Sequence, residues 1–270
     1  GQVERAAKAK GKPKDRANAQ EQLRLEGRDS EDGDNALHSA AKHGKVQLVR
    51  YLTSTVVHNI NKLNVSEQTA LHIAAEAGRD EIVAELLDAG ADKEIVDGDG
   101  RTALNLAASN GHVEVVSLLC ARKADVSMPD DKGNTPLRSA CIAGFAITAK
   151  ALVNARADIH EVTSAGRTAL HLAAQHGHES TVRCLIEVRA ALSAKDVNGL
   201  TPLEVVAAMR NPNRQVLDLL RSVGLKDESQ GVAFISDVLR TRKSYVEHQP
   251  LMLPAATDGK RASLTVPTAK

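Results

Sequence analysis

Apolar residues in this chain fall into two alternating helical registers. A short register holds small residues, as in Ala169, Leu170, Ala173 and Ala174. A longer one holds branched residues three to four apart, as in Ile82, Val83, Leu86 and Leu87, or Val115, Val116 and Leu119. Gly44, Gly78, Gly111, Gly144 and Gly177 separate the two registers, at a helix end where a positive φ favours glycine. The pattern predicts pairs of antiparallel helices, one short and one longer, repeated along the chain.

The repetition is regular. Gly100, Gly133, Gly166 and Gly199 stand 33 residues apart, and Glu67 and Gly33 continue the series upstream at intervals of 33 and 34. Thr102, Thr135, Thr168 and Thr201 follow two residues later, where a hydroxyl caps the first helix, and Asn35 does so in the first unit. Pro136 and Pro202 occupy the next position, where a missing N–H costs nothing. A fixed period of this length marks a stacked array, in which each unit lends its neighbour an apolar face. Six units are expected, at 33–66, 67–99, 100–132, 133–165, 166–198 and 199–224. Residues 1–32 are expected to be a charged, disordered tail. Residues 225–270 are expected to hold a capping helix near 231–240, then a disordered basic and proline-containing tail.

Two units depart from the pattern. In the fourth, Thr148 and Ala149 stand where Val115 and Val116 stand one unit earlier, so less apolar area is buried and stability should dip. In the sixth, Glu204 replaces a histidine, Arg210 replaces the glycine, and Asn211–Pro212 inserts a residue. That is the look of a terminal capping unit. After the second helix the expected glycine survives only as Gly90; Lys123, Arg156 and Arg189 stand in its place elsewhere. At positive φ each should cost about 1 kcal/mol against glycine. They should form a basic column, which reads either as a stripe for an acidic ligand or as a duplicated solvated residue.

Composition narrows the class. Of 270 residues 42% are hydrophobic but only 1% aromatic, which suits a stack of small helices better than a large globule. Residues 33–230 carry 21 Lys/Arg against 24 Asp/Glu, so no nucleic-acid partner is expected. Cys120, Cys141 and Cys184 lie inside helical patterns and form no framework, which points to a reduced, intracellular, cytoplasmic or nuclear chain. No membrane-spanning run is seen.

The unit Gly166–His178, followed by an apolar helix and a turn of the Ala157–Asp158 kind, resembles the ankyrin repeat, whose pattern is G-x-T-P-L-H-x-A-A-x-x-G-H, then a Val/Leu-rich helix, then G-A-D. The resemblance covers six units, about residues 33–224. It implies an all-α repeat solenoid, a stack of ankyrin-type helix-turn-helix units with short hairpin fingers. It also implies a binding module, with no catalysis and no cofactor, that takes a partner protein on its fingers and concave face and is monomeric itself. Carried over by position, the finger residues are Asp99, Arg101, Lys132, Asn134, Arg167, Asn198 and Leu200. Those at the ends of the first helices are Ser109, Asn110, Ile142, Gln175, His176 and Met209. The outer equivalents are Asp34, Gln68, Lys42, His43, Glu76 and Ala208. Ile142, Leu200 and Met209 are apolar at places expected to face solvent, the composition of a hot spot. The concave face of units four to six is therefore the expected site. A regulatory or substrate-recruiting array of a larger enzyme, channel or ubiquitin-pathway protein is the alternative.

Other motifs carry less. His171, His176 and His178 cluster, yet no carboxylate or cysteine completes a zinc set, so hydrogen bonds between loops are expected instead. Asp97–Gly100 opens like a calcium loop but lacks the acidic residue eleven positions on, where Ala108 stands; its aspartates read as turn formers. No nucleophile elbow, zinc-protease helix or phosphate loop is present. Ser263 follows Lys260–Arg261 as a weak basophilic phosphorylation motif.

Overall fold

The computed structural model of the chain describes residues 34–55 and 59–227. The N-terminal tail, the capping helix near 231–240 and Ser263 lie outside the described residues. Twelve helices and no strand occur among those described. Six short helices alternate with six second helices. The first three pairs are α1 (Ala36–Lys42) with α2 (Val46–Thr55), α3 (Ala70–Glu76) with α4 (Asp80–Asp88), and α5 (Ala103–Ser109) with α6 (Val113–Ala121). The others are α7 (Pro136–Ala143) with α8 (Ala146–Asn154), α9 (Ala169–Gln175) with α10 (Glu179–Glu187), and α11 (Pro202–Ala208) with α12 (Arg214–Asp227). Helix α12 runs three residues past the expected end of the sixth unit.

Each short helix packs on the next short helix, and each second helix on the next second helix, so the chain builds two parallel rows. The core lies between them. Leu71, Leu104, Leu137 and Leu170 fill it from one row; Leu52, Leu86, Leu119, Leu152 and Leu185 fill it from the other. Ala75, Ala108 and Ala173 are fully buried, because alanine lets neighbouring short helices approach closely. Cys141 is equally buried, and burial pushes its thiol up to about 12.

The caps form largely as expected. The Thr102, Thr168 and Thr201 hydroxyls accept from the third backbone N–H of their helices, Thr69 does the same, and Asn35 accepts from Leu37 and His38. Thr135 is the exception: it occupies the cap but makes no side-chain cap bond. Histidine completes three of these caps. The Thr69 N–H donates to His72 Nδ1 at 3.2 Å, leaving the ring proton on Nε2, which donates to the Arg101 carbonyl of the next unit at 3.1 Å. His38 reaches Gln68 and His171 reaches Leu200 in the same way, each at 3.0 Å. Asn105 replaces this histidine in the third unit and donates to the Met128 carbonyl. Glu204 keeps the cap in the sixth unit, accepting from the Thr201 N–H.

A second set of ties runs along the other row. The His112 ring lies over Gly78, where an added Cβ would sit 2.5 Å from Nδ1, and its Nε2 donates to the Glu76 carbonyl. His178 covers Gly144 and bonds Ile142; Asn213 covers Gly177 and bonds its carbonyl. These glycines thus meet two demands, a positive φ and the space for the next unit's side chain.

The fourth unit breaks both sets. Phe145 covers Gly111 but has no group to donate to a carbonyl. Arg138 stands in the histidine's place, 4% exposed. It reaches the Gly133 carbonyl of its own unit and Glu161, while its Nε and Nη1 are buried without a partner. Thr148 and Ala149 are buried as their valine counterparts are, and Ile147 is 73% exposed. We therefore expect amide hydrogen exchange to run fastest, away from the array's ends, in α7 and α8. Uniform protection from α3 to α10 would refute this.

Burial is the first cause that lowers the pKa of His38, His72 and His171 from 6.5, with nearby carboxylates and accepting carbonyls opposing it. Protonating Nδ1 also removes the acceptor for the cap N–H. Above pH 6.5 neither state is charged and stability is full. As pH falls below 6.5 the unfolded chain takes protons first, so stability drops, by at most about 1.4 kcal/mol per pH unit for each histidine. Replacing His72 by Asn, the residue natural at position 105, should lower stability at neutral pH but flatten its dependence between pH 6.5 and 5. Urea titrations across that range test it, and an unchanged slope would contradict it.

Candidate functional site

Between pairs the chain forms five fingers, each closed on one turn anchor. Asp97 N–H donates to the Arg101 carbonyl at 2.9 Å, and Asp97 Oδ1 accepts from the Asp99 and Arg101 N–H groups at 3.0 and 2.9 Å. Asn64, Asp130 and Asp196 repeat this arrangement, and Thr163 repeats it with its hydroxyl. Asp97 and Asp99 are turn formers, as expected. Burial works against the Asp97 carboxylate, but the Arg101 guanidinium and the two N–H groups hold its carboxyl below the usual range.

The fingers are also joined to one another. Gly98 N–H donates to the Ser66 carbonyl, Asp131 to Asp99, and Val197 to Ala165, each at 3.1 Å. Asn61 Oδ1 accepts from the Asp92 N–H, and Glu94 accepts from that of Asp125. Backbone bonds thus hold the first three fingers in register with one another and the fourth with the fifth, and the Arg138 side chain bridges Gly133 of the third to Glu161 of the fourth.

Of the thirteen candidate partner residues, five are exposed: Asp99, Lys132 and Asn198 on the fingers, Asn110 and His176 at helix ends. The rest are committed or withdrawn in part. Arg101 pairs with Asp97 at 2.8 Å and Asp99 at 2.9 Å. Ser109 and Asn110 both donate to the Leu106 carbonyl, and Asn134 donates to Asp130. Arg167 donates to Gln175 Oε1 at 2.7 Å and pairs with the buried Asp196 at 3.5 Å, so the sequence's two central candidates form one unit. His176 stacks on His178 with ring centres 6.1 Å apart; burial, then the neighbouring ring, lowers its pKa.

Three expectations of exposure fail. Leu200 is 6% exposed. Its backbone is held between Asp196 and His171, and unlike Arg101 or Arg167 its side chain has no polar group to reach outward for, so it turns in. Ala208 is 1% exposed because the chain leaves α11 extended at Met209, with ψ 149°, instead of continuing the turn as at Asn110. Asp34 is buried and accepts from Asn64 Nδ2. Ile142 and Met209 are half-buried, so the apolar hot spot built on them is reduced.

Lys123, Arg156 and Arg189 take φ of 61°, 71° and 66°, as their place in the glycine register implies, and all three are exposed. Each bears the cost of a side chain in the left-handed region. The histidine cluster is divided among separate ties. Among the described residues no group of three or more His, Cys, Asp or Glu is placed to hold a metal ion. No helix among them is long and apolar enough to cross a membrane.

One set escaped the sequence reading. Leu63, Val96, Pro129 and Val162 each precede a turn anchor and are exposed, three of them by 37%, 39% and 52%. Their shared interval of 33 was the available signal; it is masked by mixed residue types.

A family model described as ankyrin repeats (3 copies) matches residues 6–97, 85–162 and 147–228. The tyrosine-protein kinase HTK16 of Hydra vulgaris is 40% identical over 70 residues, which is 25% of this chain and 9% of that protein. The chain thus spans under a tenth of that relative's length. With the family match reaching from the first helix pair to the last, the chain belongs to the ankyrin-repeat family, whose repeats are generally modules of protein–protein interaction.

Proposed function

We propose that this array is a scaffold or adaptor, binding a partner protein across its fingers and the exposed ends of its first helices. The observation that carries the reading is the row of polar finger tips, Asp99, Lys132 and Asn198. They stand exposed on turns joined by backbone bonds and by the Arg138 bridge. A rigid row needs little ordering on binding, so contacts made there convert more fully into affinity. The chain acts inside the cell as a monomer, without cofactor or nucleic acid.

A second reading follows from the Hydra kinase, in which the matching segment is a small part of a longer protein. The array then recruits or regulates for a larger polypeptide. The full coding sequence separates the two, since a catalytic domain beyond either end favours the second.

Arg167 is a poor test, because its loss takes the cation from the buried Asp196 carboxylate. Asp99→Lys with Lys132→Glu changes exposed tips at the loss of one exposed ion pair, Arg101–Asp99, which contributes little to stability. Proximity labelling in cells, followed by crosslink mapping, should place partner contacts on the fingers. The double variant should cut that capture about tenfold, with a melting temperature within about 2 °C of the parent. Contacts mapped solely to the second-helix row, or capture unaffected by both changes, would overturn the proposal.

A further inference from the structure

The finger face carries an apolar column that no polar hot spot explains. Leu63, Val96, Pro129 and Val162 occupy the same place in four successive fingers, immediately before the anchors Asn64, Asp97, Asp130 and Thr163. In the fifth finger the place is taken by Lys195, also exposed. Backbone bonds join the first finger to the second and the second to the third, Arg138 bridges Gly133 of the third to Glu161 of the fourth, and the helices they cap stack about 8–10 Å apart. Isolated exposed apolar residues need no explanation, but four in register form a patch.

The size of the patch selects its occupant. At one-third to one-half exposure, four such side chains offer on the order of 200 Å² of apolar surface. A standard interface buries about 800 Å² on each partner, so the column alone is too small to hold a second copy of this chain. It is one residue wide on the second, third and fourth fingers, with Val65 and Val197 exposed beside it on the first and fifth, whereas an amphipathic helix presents an apolar stripe ≳ 100° across. A polyproline II segment presents a narrow edge, with three residues per turn and about 9 Å of advance per turn. Its every third side chain therefore matches the finger spacing. The cation at the end of the row asks for an anion one step further on.

We propose that the column binds an extended polyproline II segment of a partner protein, carrying an apolar side chain at every third position and an acidic residue three positions beyond the last. The proposal rests on the protein-binding role stated above and names the class of partner. The four fingers read the apolar positions, and Lys195 sets the direction of the chain. Leu63, Val96, Pro129 and Val162 act as shallow platforms, so discrimination comes from spacing and not from pocket shape.

The test uses the full chain and four labelled synthetic peptides. Three share one composition, have proline-rich spacers and a terminal Glu, and place Leu at every second, third or fourth position. The fourth is a helical peptide with Leu at every seventh. In fluorescence anisotropy the every-third peptide should bind at least about tenfold more tightly than the others, and Val96→Asp with Val162→Asp should remove that preference. Val96→Thr with Val162→Thr should weaken binding less, guarding against an effect on folding. Lys195→Glu should weaken binding, and exchanging the peptide's terminal Glu for Lys should restore it. Equal binding at all spacings, indifference to the paired valine changes, or preference for the helical peptide overturns the proposal. If that happens while crosslinks still map a partner to the fingers, only the peptide class is lost. Absence of partner crosslinks on the fingers removes the broader role as well.

Discussion

No helix pair in this chain can hide its own apolar side, and that constraint shapes everything else. A short helix such as α3 buries Leu71, Ala74 and Ala75 only because α1 and α5 lie against it. With alanine at the contacts the rows pack closely, which explains how a chain with hardly any aromatic residues supports a continuous core. Packing of this kind is non-directional. Direction comes from the polar ties: the His72 and His171 bonds to the next finger, the His112 and His178 bonds to the preceding helix end. Apolar burial supplies the cohesion of the stack, and the imidazoles set its register.

The fold was legible because its signals repeat. Thr at the cap, Gly at the helix end and branched residues on the second helix each recur at 33 residues, so chance agreement is excluded by number alone. The same regularity identified the left-handed backbone at Lys123, Arg156 and Arg189. Side-chain commitments were less visible. Arg167 and Gln175 read as free surface groups, yet they bond each other across the loop. Leu200 reads as an exposed apolar residue until its backbone is seen pinned on both sides. Periodicity places a residue on a unit; it does not say which neighbour its polar atoms find. The apolar column went unnoticed because its members differ in type, stand 33 residues apart and meet only in space.

The fourth repeat shows what the ties are worth. It retains the apolar pattern and loses the ties: Phe145 has no donor in one row, and Arg138 in the other donates within its own unit. Its core residues are as buried as elsewhere, so the unpaired nitrogens of Arg138 and the absent bond add to the smaller apolar area of Thr148 and Ala149. Apolar order and polar order are separable in such an array, because a unit can keep its place in the stack while holding its neighbours less specifically.

The substitution of Asn105 for histidine has a further consequence. The ties at His38, His72 and His171 rely on a neutral ring, while Asn105 and Arg138, at the same place in the third and fourth units, bond within their own units. Acidification therefore weakens first the ties nearest the two ends of the array, so a fall of a pH unit or more should loosen the stack from its ends.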